Sequence, residues 1–123
     1  MIYQNNHIYI EVEKSEIPWL KIFSQKPYKE FSECDRETRE QILVAWDVIE
    51  KAMIEFYSPT KINIASFGNY LPKVHFHVMA RFESDSYFPE PMWGKKQRDG
   101  SYKLENFEEF LEIVKEKLTN ILL

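Results

Sequence analysis

The amino-acid sequence predicts an α+β fold: a mainly antiparallel, five-stranded sheet with a long central helix and a C-terminal helix. β-favouring runs come before and after one long helical period, and a second helical period closes the chain. Strands and helices therefore do not alternate as a parallel α/β sheet requires. With 123 residues, three glycines, no low-complexity tract and no internal repeat, the chain reads as a single domain over residues 1–123.

Each element has a local reason. Residues 2–3 and 7–12 alternate polar and β-favouring side chains around Asn5-Asn6, a hairpin pattern. Residues 19–23 supply a third strand, and residues 28–34 a short turn or 3₁₀ segment. Asp35 is placed to cap a helix that reaches about residue 57. Ile42, Trp46, Ile49 and Met53 recur at the helical period and form its expected buried stripe. Pro59 and the following Thr60-Lys61 end it. Residues 62–67 and 73–82 read as two strands joined by a tight turn through Gly68-Asn69. Residues 83–105 carry Pro89, Pro91, Trp93 and Gly94; irregular stretches of that length are functional or disordered. The last helix is expected to start at Asn106, with Glu109 as capping-box partner. Phe107, Phe110, Leu111, Val114, Leu118 and Ile121 make its buried face.

Composition removes several classes of function. Sixteen basic against 20 acidic residues, a net charge of −4, argues against a protein that coats a nucleic-acid polymer; a small nucleotide needs only local positive charge. Cys34 is the single cysteine, so no intrachain disulfide forms and a reducing compartment is natural. No basic N-terminal region leads into an apolar segment, and no apolar run approaches the ~20 residues that span a bilayer. The expectation is a soluble cytoplasmic protein without a membrane partner. GxxxxGK[ST], GxGxxG, CxxC and HExxH are all missing, which removes the P-loop, Rossmann and common zinc readings.

The most informative stretch is residues 63–81, where His75 and His77 stand two positions apart in an apolar, strand-like run. On a strand Lys73, His75, His77, Met79 and Arg81 share one face, the candidate site. Val74, Phe76 and Val78 share the other, the expected core. Lys73-Val74-His75-Phe76-His77-Val78-Met79 resembles the signature of the histidine triad (HIT) superfamily of nucleotide hydrolases and transferases, His-φ-His-φ-His-φ-φ. Lys73 stands at the first histidine, His75 at the middle, nucleophilic one, and His77 at the last. The approach through Asn63 and Asn69, the trailing Ala80-Arg81-Phe82, Trp93-Gly94, and residues 15–23 extend the resemblance over most of the chain. They are similar to a bacterial HIT-like branch that often lacks the first histidine.

The resemblance implies a HIT-like fold, a homodimer, and a small-molecule nucleotide as ligand, with no cofactor and no metal. It also implies that His75 attacks the α-phosphorus of a nucleoside phosphate anhydride or related derivative to form a nucleotidyl-histidine. Imidazole suits that role because one ring nitrogen attacks while the other donates to a backbone carbonyl and fixes the tautomer. His77 would donate to a phosphate oxygen or the leaving group. Asn63, Ser66, Asn69 and Trp93 join Lys73 as expected substrate or phosphate contacts, and the missing Cβ of Gly68 would permit close approach. The ammonium of Lys73 stabilises charge but relays protons poorly at neutral pH, which predicts a bias towards polyphosphate leaving groups. Alternatively Lys73 points away from the site.

Two further readings stand beside the hydrolase or transferase: a catalytically weak nucleotide-binding protein, and a metal-binding protein that uses His75 and His77, with His7 as a third ligand only if folding brings it close. Lys95, Lys96 and Arg98 form the one basic cluster, open to a distal phosphate or simply solvated. Ile8, Ile10, Trp19, Leu20 and Ile22 are open between an apolar base pocket and ordinary core.

Overall fold

A computed structural model describes residues 1–122 and shows five antiparallel strands in the order β1-β2-β3-β5-β4. The strands are β1 Tyr3–Gln4, β2 Ile8–Val12, β3 Trp19–Ser24, β4 Lys61–Ala65 and β5 His75–Arg81. Helix α1, Arg36–Tyr57, lies between β3 and β4 in the chain, and α2, Phe107–Ile121, ends it. One turn of 3₁₀ helix at Phe31–Glu33 precedes α1. The expected α+β architecture is present.

The β1-β2 hairpin is closed by a side chain. Asn5 Oδ1 accepts the backbone N–H groups of His7 and Ile8 at 2.8 and 3.0 Å, and Asn5 Nδ2 donates to Gln41 Oε1 of α1 at 2.7 Å. Turn chemistry and helix docking are thus one connection. Asp35 caps α1 as expected, its carboxylate accepting Thr38 N–H at 2.8 Å. Ile42, Ile49 and Met53 are buried together with Ala45, Val48 and Ala52. Trp46 departs from the expected stripe: it is half-buried at the edge of the helix, stacked on Phe76, with its indole N–H on Glu50.

Helix α2 starts where the sequence places it, but without the expected capping box. Asn106 sits in the left-handed region (φ 54°, ψ 33°) and makes no side-chain cap bond. That backbone turns the amide away from the first-turn N–H groups; Asn tolerates the conformation better than most residues. Phe110, Leu111, Val114 and Leu118 are buried against α1 and β1, while Phe107 is half-buried and Ile121 exposed.

Register assigns two faces to the sheet. Ile8, Ile10, Leu20, Ile22, Val78 and Ala80 lie on the helix side and are fully buried. Tyr9, Phe23, His75 and, one rung on, Lys21 and His77 lie on the other. Val74 and Val78 are buried as expected, and Phe76 is half-buried against Phe31 and Trp46. The opposite face of β5 is not an open one, however. His75, His77, Met79 and Arg81 are all buried: residues 83–105 fold back over this side of the sheet and set Trp93 on His77, Pro91 and Met92 by Met79 and Asp85 on Arg81, while His75 packs on Phe23.

Asp85 organises that return. Its carboxylate takes a bidentate bond from the Arg81 guanidinium at 2.9 and 3.0 Å, and also accepts the N–H groups of Phe82, Tyr87 and Phe88. Burial disfavours its charge, but Arg81 and the three N–H donors outweigh that and hold the carboxyl below the ordinary carboxylate range. Glu16 grips the same segment through Ser86 N–H and Oγ, and Tyr102 stacks on Phe82 with ring centroids 3.7 Å apart. The long irregular stretch is a fitted wall. Removing the anion would leave a guanidinium only 1% exposed without its partner. Asp85→Ala is therefore expected to destabilise the protein by about 3 to 5 kcal/mol in urea denaturation; a loss below about 1 kcal/mol would show that the wall stands without the pair.

Candidate functional site

Two loops and the β5 strand build a cavity of about 320 Å³ over the histidines, lined by Phe67, Asn69, Tyr70, Leu71 and Trp93 as well as His75 and His77. A groove of about 540 Å³ between β1 and α2 is larger, but it is lined by residues such as Ile2, Tyr3, Lys115 and Thr119 and holds neither histidine. Size does not decide the site here; chemistry does. Strand β4 ends at Ala65 and β5 begins at His75, so the expected tight turn at Gly68-Asn69 is instead a wide loop, and it forms the rim of the cavity. Gly68 is needed there for its φ of +77°. A Cβ at that position would meet only ordinary contacts, at 3.5 Å or more, so conformation rather than close approach explains the glycine.

The two imidazoles are held in opposite tautomers. His75 Nδ1 lies 2.7 Å from the backbone carbonyl of Lys73; a carbonyl only accepts, so Nδ1 carries the proton and Nε2 keeps its lone pair. His77 Nδ1 lies 2.9 Å from the Trp19 indole nitrogen, a group that only donates, so Nδ1 accepts and Nε2 carries the proton. The ring centroids are 5.2 Å apart. One histidine thus offers a nucleophilic nitrogen and its neighbour a donor. Burial, then the neighbouring His75 and Lys21, push the His77 imidazole down to about 4, against a smaller opposing pull from Glu13.

Aromatic rings fix the face laterally. Tyr9, Phe23 and His75 stack across three strands at centroid distances of 4.8 and 4.9 Å. Trp93, 48% exposed, stands edge-on to His77 at 4.9 Å and also touches Trp19 and Phe67. The expected contact residue Trp93 is thus brought to the histidines by its own chain. Lys73 does not point away into solvent. Its ammonium lies 4.6 Å from the Tyr9 ring centroid and donates to the Tyr9 hydroxyl at 2.9 Å, at the edge of the histidine face.

The remaining expected residues divide. Asn69 and Gly68 line the cavity. Ser66 lies outside it, donating its hydroxyl to the His75 carbonyl at 2.7 Å, which braces the backbone of His75. Asn63 also lies outside, two rungs along β4, where its Oδ1 accepts from Arg81 at 2.9 Å. Arg98 donates to the Asp85 carbonyl and Lys96 pairs with Asp99, so the basic cluster secures the wall in part. His7 contacts Thr38 and Glu37 at the start of α1 and does not approach His75 or His77. Among the described residues no three His, Cys, Asp or Glu side chains gather to hold a metal, and no helix is long and apolar enough to cross a membrane. Ile8, Ile10, Leu20 and Ile22 belong to the helix-side core; Trp19 alone of that group reaches the histidine face. Its role had a faint sequence signal: it is an indole one strand away, and strand pairing is needed to see it.

The family model of the HIT domain matches residues 1–84, over half of the chain. The chain belongs to the HIT domain family. Among solved structures, a histidine triad protein from Bradyrhizobium japonicum is similar at 26% identity with a TM-score of 0.77, over 94% of this chain and 87% of that one. A HIT protein from Sinorhizobium meliloti 1021 aligns at 24% identity and TM-score 0.75, covering 94% and 86%. A histidine triad protein from Marinobacter aquaeolei VT8 aligns at 24% and 0.71, covering 98% and 86%; these two carry the fold alone. Comparison with curated proteins gives no match. The HIT-like fold expected from the histidine strand is confirmed.

The depressed His77 value gives stability a pH dependence of definite sign. Above the unfolded imidazole value of about 6.5 both states are neutral there and His77 contributes nothing. Between about 6.5 and about 4 the unfolded chain binds a proton that the folded chain refuses, so stability falls as pH falls. Below about 4 the loss is complete. His77→Gln should have a shallower decline of Tm across that window than the parent; equal slopes would show that His77 titrates normally.

Proposed function

We propose that the protein is a nucleotide hydrolase or nucleotidyl transferase of HIT type, acting on a nucleoside phosphate anhydride or related derivative. The observation that carries this reading is the bond between His75 Nδ1 and the Lys73 carbonyl, which leaves the Nε2 lone pair of His75 as the free nitrogen. In the proposed reaction Nε2 attacks the α-phosphorus while the bond from phosphorus to the leaving-group oxygen breaks, and the leaving group departs with that electron pair. Water or another acceptor then attacks the same phosphorus, the phosphorus–Nε2 bond breaks and returns its electron pair to the imidazole, and the acceptor's proton passes to solvent. His77 Nε2–H donates to a non-bridging oxygen, and Asn69 and the loop backbone around Gly68 border the phosphate position. A cavity of about 320 Å³ walled by Phe67, Tyr70, Leu71 and Trp93 matches the size of small-molecule sites and supplies apolar surface for a nucleoside.

Lys73 shapes the choice of leaving group. It brings positive charge to the edge of the face, and an ammonium is a poor proton donor to a leaving group, so departure as an anion is favoured and acidic polyphosphates are the preferred leaving groups. Its tether on Tyr9 also favours a second reading, nucleotide binding with little turnover. A homodimer fits the surface. Strand β4 is a sheet edge with half-buried Ile62 and Ile64, and a two-fold copy would cover it. A monomer at micromolar concentration in analytical ultracentrifugation would end that part of the proposal.

His75→Ala should abolish nucleotidyl transfer and release of the leaving group. Since His75 is buried and stacked on Phe23, it should also cost about 1 kcal/mol of stability. Parent-like turnover of a nucleotide panel by this variant would exclude His75 as the nucleophile. Lys73→His should restore part of the ~10²- to 10⁴-fold that acid assistance contributes, for phosphoramidates and simple esters but not for polyphosphates. An equal change for both substrate types would indicate altered binding instead.

A further inference from the structure

We propose that Trp19 is a positioning residue whose indole N–H fixes His77 as a neutral, Nε2-protonated hydrogen-bond donor and keeps it from acting as an acid. The inference rests on the reading of His75 and His77 as the reacting face. Its first test needs no substrate.

The geometry is specific. Indole N–H is a donor without an acceptor site, and it meets His77 Nδ1 at 2.9 Å with both residues 8% exposed. Protonation of His77 at Nδ1 would set two N–H groups against each other in a dry space, so the bond opposes both the other tautomer and the cation. The ring is also held from other sides. Trp19 lies at 5.6 Å and 68° to it, and Trp93 at 4.9 Å and 82°, while Trp19 and Trp93 touch each other at 5.2 Å and 77°. Trp19 therefore joins the histidine to the wall formed by residues 83–105. The charged and titratable groups that face His77 are His75 on its own strand, Lys21 opposite it on β3, and Glu13, paired with Lys21 at 2.8 Å. Ala65 opposite it on β4, and Phe67 and Trp93 beside it, bring no charge.

The functional consequence concerns the proton inventory of the site. A neutral imidazole N–H donates a hydrogen bond to a phosphate oxygen but does not surrender its proton to a leaving group near neutral pH. With the Lys73 ammonium held on Tyr9 at the edge of the face, the site then stabilises charge without supplying an acid. Replacing Trp19 by phenylalanine keeps an aromatic ring but removes the N–H, and frees His77 to take up a proton in mildly acid solution.

Nitrogen-15 NMR of the unliganded parent tests the first half. A coupling through the hydrogen bond between Trp19 Nε1 and His77 Nδ1, with His77 Nε2 carrying the proton from pH 8 to 5, is expected. A protonated Nδ1 in that range overturns the proposal. In Trp19→Phe the His77 titration should move upward by about one pH unit, the equivalent of one ordinary hydrogen bond, and both tautomers should appear. With an active protein, kcat/KM of this variant should gain an acid-side dependence for esters, unlike the parent. An unchanged titration and tautomer in the folded variant would also overturn the proposal. If the NMR results hold but the parent turns over no nucleotide, the positioning stands and the proposed reaction fails. If the variant does not fold, the parent coupling and tautomer alone decide.

Discussion

Because β5 lies between β3 and β4, with α1 on one side and residues 83–105 on the other, each polar side chain it carries must find a partner inside the protein. The solutions differ in kind. His75 has a main-chain acceptor, His77 a side chain that only donates, and Arg81 an anion and an amide oxygen. Among the described residues no buried side-chain nitrogen or oxygen lacks a partner. Two identical rings two positions apart thus acquire opposite proton placements from their neighbours alone. A solvent-exposed strand would let both rings exchange tautomers, and the division of labour between them would be lost.

The fold was legible in the sequence to the extent that local periodicity governs it. Asp35 before a helical period, the alternation in β2 and the apolar run around His75 each have one dominant physical reading, and each appears in the expected place. What local pattern cannot carry is pairing across distance. The alternation of β5 marks two faces correctly but says nothing of a second cover, since Asp85 becomes a hub only when Arg81, four residues away, turns its guanidinium into the same buried space. Trp46 as a buried stripe residue and the capping box at Asn106 failed for the opposite reason. Their local signals were plausible, but packing at a helix edge and a left-handed backbone took precedence.

The site was legible at its centre and less so outward. His75, His77, Asn69, Gly68 and Trp93 border one cavity, whereas Ser66 and Asn63 serve the β5 framework. That division follows from where the chain leaves β5: Asn63 and Ser66 still bond to Arg81 and to the His75 carbonyl, whereas from Phe67 onward the loop swings out as a rim of the cavity. A chain of net charge −4 still presents Lys73 and Lys21 over aromatic rings on the histidine face, where Glu13 pairs with Lys21 and Lys73 is held by the Tyr9 hydroxyl, so the local charge there differs from the overall balance.

The acceptor that aligns His75 belongs to a peptide group rather than to a side chain. Every amino acid brings such a carbonyl to position 73, so exchanging the side chain there leaves the acceptor that orients the His75 ring in place. Substitution at position 73 is thereby uncoupled from the placement of the neighbouring ring: the charge carried beside His75 can change while the proton on its Nδ1 keeps the same acceptor.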